Sequence, residues 1–212
     1  CGPISGPTGA NPLNIVNYGV AVSKDTTERY SDEGQTYVQM SRDTAAKTKD
    51  NWAFMIVDQD THDMPKLAND WKSYERTGAP VYKADTVKEL AEKAGLDPEK
   101  LVKVINDYNK AVKDGTRDQL TPPNTLKDPR LVVKAPFYAV PFQGGMTATF
   151  GGPLINTRAQ VLDSENQPVA GLFAAGNAAA GLFYDDYVGG AQLPSAAVFG
   201  IAAADFMKMK MA

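Results

Sequence analysis

Residues 171–197 read Gly-Leu-Phe-Ala-Ala-Gly-Asn-Ala-Ala-Ala-Gly-Leu-Phe-Tyr-Asp-Asp-Tyr-Val-Gly-Gly-Ala-Gln-Leu-Pro-Ser-Ala-Ala. The first six predict a buried strand of small residues that ends in a tight turn. Gly176 permits an unusual backbone angle there. Asn177 then offers a donor and an acceptor at the strand tip. Open α/β sheets bind ligands at such tips, although a plain strand-to-loop turn has the same spelling. The Gly189-Gly190 pair runs directly into a helix start, with an Ala-rich helix expected over 194–209. The unpaired N–H groups of that first turn, backed by the helix dipole, favour a partial negative charge such as a flavin pyrimidine edge or a phosphate. A flexible loop before a packed helix is the alternative.

Working outward, 136–200 carries few charges and many Gly and Ala. Phe137 to Pro141 is a strand candidate. Leu154-Ile155 and 159–162 suggest two short strands around a turn. Before this lies a Pro-rich polar stretch, 118–130, which reads as a hinge or linker. Residues 84–114 carry the clearest helical pattern. Asp85 is the expected N-cap of a helix ended by Gly95, and Asp97-Pro98 opens a second helix closed by Gly115. Leu101, Val102, Ile105, Tyr108 and Val112 give that helix its apolar stripe. Strands are expected over 15–22 and 52–58, and a helix over 36–49.

Composition bounds the function. Among 212 residues there is one Cys and one His, and the net charge is -3. Cys1 alone makes no internal disulfide, and His62, read as a solvated loop residue, makes no metal site on its own. No basic block favours nucleic acid. The apolar stretch near 194–207 is interrupted by Pro194, Ser195, Gly200 and Asp205, so no membrane span is expected. With so little His and Cys, acid–base work falls to Tyr, Arg, Asp, Glu or a cofactor. The opening, Cys1-Gly-Pro-Ile-Ser-Gly-Pro-Thr-Gly9, reads as a loop rather than a signal peptide and leaves the compartment unknown.

Taken in order, these motifs resemble the fumarate reductase/succinate dehydrogenase flavoprotein superfamily. Gly171-Leu-Phe-Ala-Ala-Gly176, Gly189-Gly190 and Ala197-Val-Phe-Gly200 are similar to its C-terminal FAD-binding signature. Thr149-Phe-Gly-Gly-Pro-Leu-Ile-Asn-Thr-Arg-Ala-Gln-Val-Leu162 is similar to its Thr-x-Gly-Gly segment. Asp85-Thr-Val-Lys-Glu-Leu-Ala91, Gly95-Leu-Asp-Pro98 and Tyr108-Asn109 look like its capping domain, and Arg29-Tyr-Ser-Asp-Glu33 looks like its Arg-Phe-x-(Asn/Asp)-Glu. The resemblance covers about residues 15–205. It implies an α+β capping domain followed by the C-terminal segment of an incomplete α/β Rossmann-like FAD-binding domain. The expected division is an incoming loop and strand over 1–20, a substrate cap over 21–135 and the flavin segment over 136–212. No G-x-G-x-x-G is present for the pyrophosphate, so an N-terminal FAD-binding half, from the same gene or another chain, is the implied partner.

The resemblance also distributes roles. Ala175, Gly176, Asn177, Gly190, Gln192, Leu193 and Ser195 would hold FAD. Thr149, Gly151 and Gly152 would face a small-molecule substrate. Tyr187 and Arg42 would do the proton work. Arg42, in Ser41-Arg42-Asp43, looks like the proton-carrying arginine of soluble fumarate reductases but lies further from Glu33 than in that group. Tyr187 is similar to the flavin-side tyrosine of the tricarballylate and 3-ketosteroid dehydrogenase branches. Asn177 replaces an acidic residue that holds ribityl hydroxyls in many relatives. Two carboxylate grips depart from the fumarate reductase pattern. Thr147-Ala148 replaces His-His, Asp186-Tyr187 replaces Asn-Arg, and Asp185 adds a second negative charge. The expected activity is therefore hydride transfer between flavin and a C–C bond of a substrate other than fumarate. The rival is a non-catalytic remnant or truncated piece acting at most as a binding module. Nearest in kind are the tricarballylate and 3-ketosteroid dehydrogenase branches.

Overall fold

Strand β5, Phe137–Gly145, organises the first part of the chain. In the computed structural model it pairs antiparallel with β3, Ala53–Val57, on one edge, and with β1, Gly2–Ile4, and β4, Tyr82–Ala84, along the other. Strand β2, Val20–Ser23, pairs with β3 and completes a five-stranded sheet. The structure describes residues 2–4, 14–146, 149–184 and 186–211.

Successive side chains of a strand point to opposite faces, and both faces of this sheet are covered. Ala21, Met55, Val57, Val140 and Phe142 pack with Met40 of α1, Tyr37–Lys47, and Tyr74 of α3, Ala68–Thr77. Val20, Val22, Phe54, Ile56 and Ala139 pack with Leu90 of α4, Val87–Ala94, and with Leu101, Ile105 and Tyr108 of α5, Pro98–Asp114. That double burial is why the strands read as unbroken apolar runs.

The α4–α5 pair forms where its local signals put it. Asp97 caps α5 by accepting the N–H groups of Glu99 and Lys100, and Gly95 and Gly115 close the two helices in left-handed geometry. The cap of α4 is Thr86, one residue after Asp85, because its hydroxyl oxygen accepts the Glu89 N–H. The strand expected over 15–22 is shorter. The Asp70 carboxylate accepts the N–H groups of Asn14 and Ile15, which curls Ile15–Asn17 into a 3-10 turn and delays β2 to Val20.

The stretch 118–130 is not a hinge within this unit. The Asn124 side chain donates to Glu33 at 2.8 Å, Thr125 donates to Asp32 through both N–H and hydroxyl, and Arg117 donates to the Leu126 carbonyl at 2.7 Å. The anchor is a buried ion pair. Arg29 donates to both oxygens of Glu33, whose carboxylate also accepts the Ala21 N–H.

The chain divides into two units at 145/146. The boundary read at 135/136 falls later because all of β5 is hydrogen-bonded into the first sheet. Residues 15–20 likewise pack in the first unit.

In the second unit, β6, Gln160–Leu162, and β7, Pro168–Phe173, form an antiparallel hairpin. Asp163 turns it by accepting the N–H groups of Glu165 and Gln167. Asn156 shapes the preceding turn, accepting from Arg158 and Gln160. A parallel bridge joins Leu154 to Ala180. Helix α6 runs over Gln192–Met211, two residues earlier than expected. Among the described residues the pairings of this unit are the hairpin, this parallel bridge and an antiparallel one between Ile155 and Val161. The unit nevertheless leaves much apolar surface exposed, including Leu172, Val198 and Ile201.

Replacing Arg29 by Met strands the Glu33 carboxylate inside the first unit. Removing one partner of a buried pair costs about 3–5 kcal/mol, so urea unfolding of Arg29→Met should lose about that much. Lys110→Met, at an exposed pair with Asp114, should leave the midpoint where it is. Equal effects would show that the buried pair holds nothing together.

Candidate functional site

Three segments of the second unit meet around Thr149. Its hydroxyl donates to the Asn177 carbonyl, and its own carbonyl accepts from the Gln192 side-chain amide at 3.4 Å. Sequence distances of 28 and 43 residues thus close into one cluster. Glycines make the closure possible. At Gly152 (φ 148°) a Cβ would stand 2.8 Å from the Ala178 carbonyl oxygen. Gly176 (φ 62°) lies against α6, where a Cβ would stand 2.9 Å from that of Ala196. Gly190 (φ 83°) turns the chain just before α6, with open space on its Cβ side.

Two polar atoms here are buried with no hydrogen-bond partner among the described residues, the Gln192 side-chain oxygen and the Ser195 hydroxyl. Leaving such a group unpaired costs about 1–3 kcal/mol, and buried atoms of the first unit such as the Thr61 and Tyr108 hydroxyls share that state. The Ser195 N–H closes back on the Ala191 carbonyl. Pro194 has no N–H, so the earlier donors of the first turn are Gln192 and Leu193. The Gln192 N–H reaches the Tyr187 hydroxyl only at 3.5 Å. Ala175 is half-buried, whereas Gly151, Asn177 and Leu193 are exposed. Small exposed residues, the N–H groups of a helix start and the Ser195 hydroxyl suit an acceptor-rich edge such as that of a flavin, whereas the Gln192 side-chain oxygen calls for a donor.

Tyr187 is half-buried and sits with two phenylalanines that the sequence reading passed over. Phe183 meets it edge-on at 5.2 Å and Phe150 lies 5.9 Å from Phe183. No spacing rule links positions 150 and 183, so only the fold reveals the group. Thr147, Ala148 and Asp185, singled out from the sequence, lie outside the described residues.

Arg42 belongs to the first unit, on α1, and is half-buried. Its neighbours are firmly held. The Ser41 backbone oxygen lies so close to Gly144 that a Cβ there would approach it to 2.3 Å. Asp43 accepts from Ser31 at 2.6 Å and Gln39 at 3.0 Å, and pairs with Lys47 at 3.0 Å. Burial pushes the Asp43 carboxyl up, but these three donors together hold it below the ordinary carboxylate range.

His62, expected in a solvated loop, ends the short helix α2, Gln59–His62, and stacks on Tyr138 at 4.5 Å beside Trp71. The stack explains its place, since a planar ring covers apolar surface that a loop would leave open. Among the described residues no group of three or more His, Cys, Asp or Glu is placed to hold a metal. Among the described residues no helix is long and apolar enough to cross a membrane.

Comparison with known proteins adds the following. A family model described as FAD binding domain matches residues 16–192. A probable fumarate reductase of Shewanella frigidimarina is 34% identical over 186 residues, covering 88% of this chain and 30% of its own length. A vinyl phenol reductase of Lactiplantibacillus plantarum is 36% identical over 121 residues, 56% of this chain and 23% of its own. The open conformation of a flavocytochrome c3 fumarate reductase superposes with a TM-score of 0.70 and 32% identity, over 91% of this chain and 33% of that one. The chain therefore spans about a third or less of the length of each of these three proteins.

The state of Asp43 has a pH consequence. Its carboxyl titrates lower folded than unfolded, so its contribution is present above the unfolded value of about 3.9 and fades as pH falls through the folded one. Asp43→Asn should flatten the loss of stability below about pH 4, as read by urea midpoints across pH. An unchanged slope would mean that the Ser31, Lys47 and Gln39 contacts carry no linkage.

Proposed function

The chain belongs to the FAD binding domain family of flavoprotein oxidoreductases, and from that premise we propose that it forms the substrate cap and the C-terminal flavin-binding segment of an oxidoreductase. The reaction is hydride transfer between FAD and a C–C single or double bond of a small organic substrate other than fumarate. FAD is the cofactor of the family, and its isoalloxazine, when bound, supplies or accepts the hydride. The first unit, built on the five-stranded sheet, is the cap. The second is the flavin segment of an α/β Rossmann-like domain completed by an N-terminal half.

One observation carries this reading. The buried, unpaired Gln192 oxygen and Ser195 hydroxyl stand beside a helix start and a glycine turn. Gly190, Gln192, Leu193 and Ser195 are proposed to border the flavin ring. Ala175 and Gly176 are proposed to lie beside it, Gly176 holding the turn against α6, and the exposed Asn177 amide reaches the ribityl hydroxyls, as an amide can. Thr149, Gly151 and Gly152 border the substrate. The exposed apolar residues of β7 and α6 fit a surface that the pyrophosphate-binding half covers.

Tyr187 and Arg42 are the proposed proton carriers. A phenol beside the reacting carbons can pass a proton in either direction. A guanidinium also orients a planar polar group. Against fumarate stands the replacement of both carboxylate grips in the pattern of the soluble fumarate reductases.

Full-length protein purified without added cofactor should be yellow, with about one flavin per chain. Tyr187→Phe should keep the flavin and lose about 10²–10⁴ in kcat, the usual worth of a general acid. Arg42→Gln should behave alike if the guanidinium also carries the proton. Colourless, well-folded protein would instead favour a non-catalytic binding module. Near-normal turnover of Tyr187→Phe would remove the tyrosine from the proton path.

A further inference from the structure

The proposed reaction leaves the substrate's shape open, and the aromatic group of the second unit bears on it. Phe150, Phe183 and Tyr187 come from two loops and lie within 6.4 Å of one another, ring centre to ring centre. The Phe150 and Tyr187 planes are only 28° apart, while Phe183 stands edge-on to Tyr187. All three are half-buried, so each keeps surface for a further contact. The group is tied to the flavin-side residues. Phe150 follows Thr149, whose carbonyl accepts from Gln192, and the Tyr187 hydroxyl faces the Gln192 N–H.

Charge narrows the choice. In residues 146–207 the only cation is Arg158, and its guanidinium lies over the Phe206 ring at 5.1 Å. No cation stands in the two loops that carry the aromatic group. Asp186, beside Tyr187, is exposed. Ring faces carry partial negative charge, and Asp186 adds a full one. Of the residues proposed for the site only Arg42, assigned to the proton path, is a cation, so the aromatic side adds no second grip for a carboxylate and offers stacking and edge contacts to a flat, uncharged ring.

Resting on the flavoenzyme reading above, we propose that the substrate is an uncharged alkene conjugated to an aromatic ring, the ring seated on Phe150, Phe183 and Tyr187. The test uses the FAD-loaded full-length protein under anaerobic conditions with reduced viologen as electron donor. Substrates are trans-cinnamamide, crotonamide and fumarate. Each turnover takes two electrons from the dye and two protons from solvent and converts C=C to CH–CH. Cinnamamide should exceed crotonamide at least about tenfold in kcat/KM, the scale of one to two aromatic contacts, with fumarate at background. Phe183→Ala should cut the cinnamamide-to-crotonamide ratio about tenfold on the same grounds. Independently of turnover, 3-phenylpropanamide, which has no alkene to reduce, should bind the wild type in ligand-detected NMR and bind Phe183→Ala more weakly.

Crotonamide used as well as cinnamamide, or fumarate used best, overturns the aromatic seat while the flavoenzyme reading stands. Phenylpropanamide that fails to bind, or binds Phe183→Ala equally well, also overturns the seat. A yellow protein that reduces none of the three overturns the substrate assignment alone, and a protein that holds no flavin overturns the reaction with it. In that case phenylpropanamide binding would mark the loops as a ring-binding surface only.

Discussion

One buried carboxylate organises the first unit. Glu33 has no contact with solvent, and its two oxygens are answered by Arg29, by the Ala21 N–H and by the Asn124 side chain. Each partner belongs to a different piece of the unit: the turn after β2, β2 itself, and the polar stretch after α5. A charge removed from water is tolerated only when it is fully paired. The three pieces are therefore obliged to meet at Glu33, and the sheet they border gains a fixed edge. Arg29 extends the tie by donating to the Pro122 carbonyl at 2.5 Å.

The second unit rests on the opposite device, the lack of side chains. Gly176 against Ala196, and Gly152 against Ala178, bring backbone to backbone at distances that any larger residue would forbid. Close backbone approach exposes N–H and C=O groups at loop tips and helix starts, where a ligand can reach them. It also leaves Gln192 and Ser195 each with an unanswered buried atom. A native protein rarely leaves such groups unsatisfied, and a flavin edge is one partner of the right chemistry.

The sequence was most legible where signals are local. Asp97, Pro98, Gly95 and Gly115 mark their helix ends because a cap needs partners only one turn away. Gly176 was legible for a similar reason, since a positive φ at a turn is a single-residue requirement. Legibility failed where partners are distant. The stretch 118–130 has the composition of a linker, yet Asn124 and Thr125 are held by residues 91 and 93 positions earlier. The 3-10 turn at Ile15–Asn17 depends on Asp70, which no local pattern announces. At the site, the glycine motifs were readable, but the meeting of Phe150 with Phe183 and the unpaired Ser195 hydroxyl were not. The Arg29-to-Glu33 motif was visible as a pattern, while its use as a buried hub needed coordinates.

The account stands or falls on what lies against the loop and helix start at 190–195. The direct measurement is a crystal structure of the full-length protein grown with FAD. It should show the isoalloxazine edge within hydrogen-bond distance of the backbone N–H groups of that segment, with the Gln192 oxygen or the Ser195 hydroxyl satisfied by a flavin atom. A segment packed on protein side chains, with no room beside it for a flat three-ring system, would contradict the account.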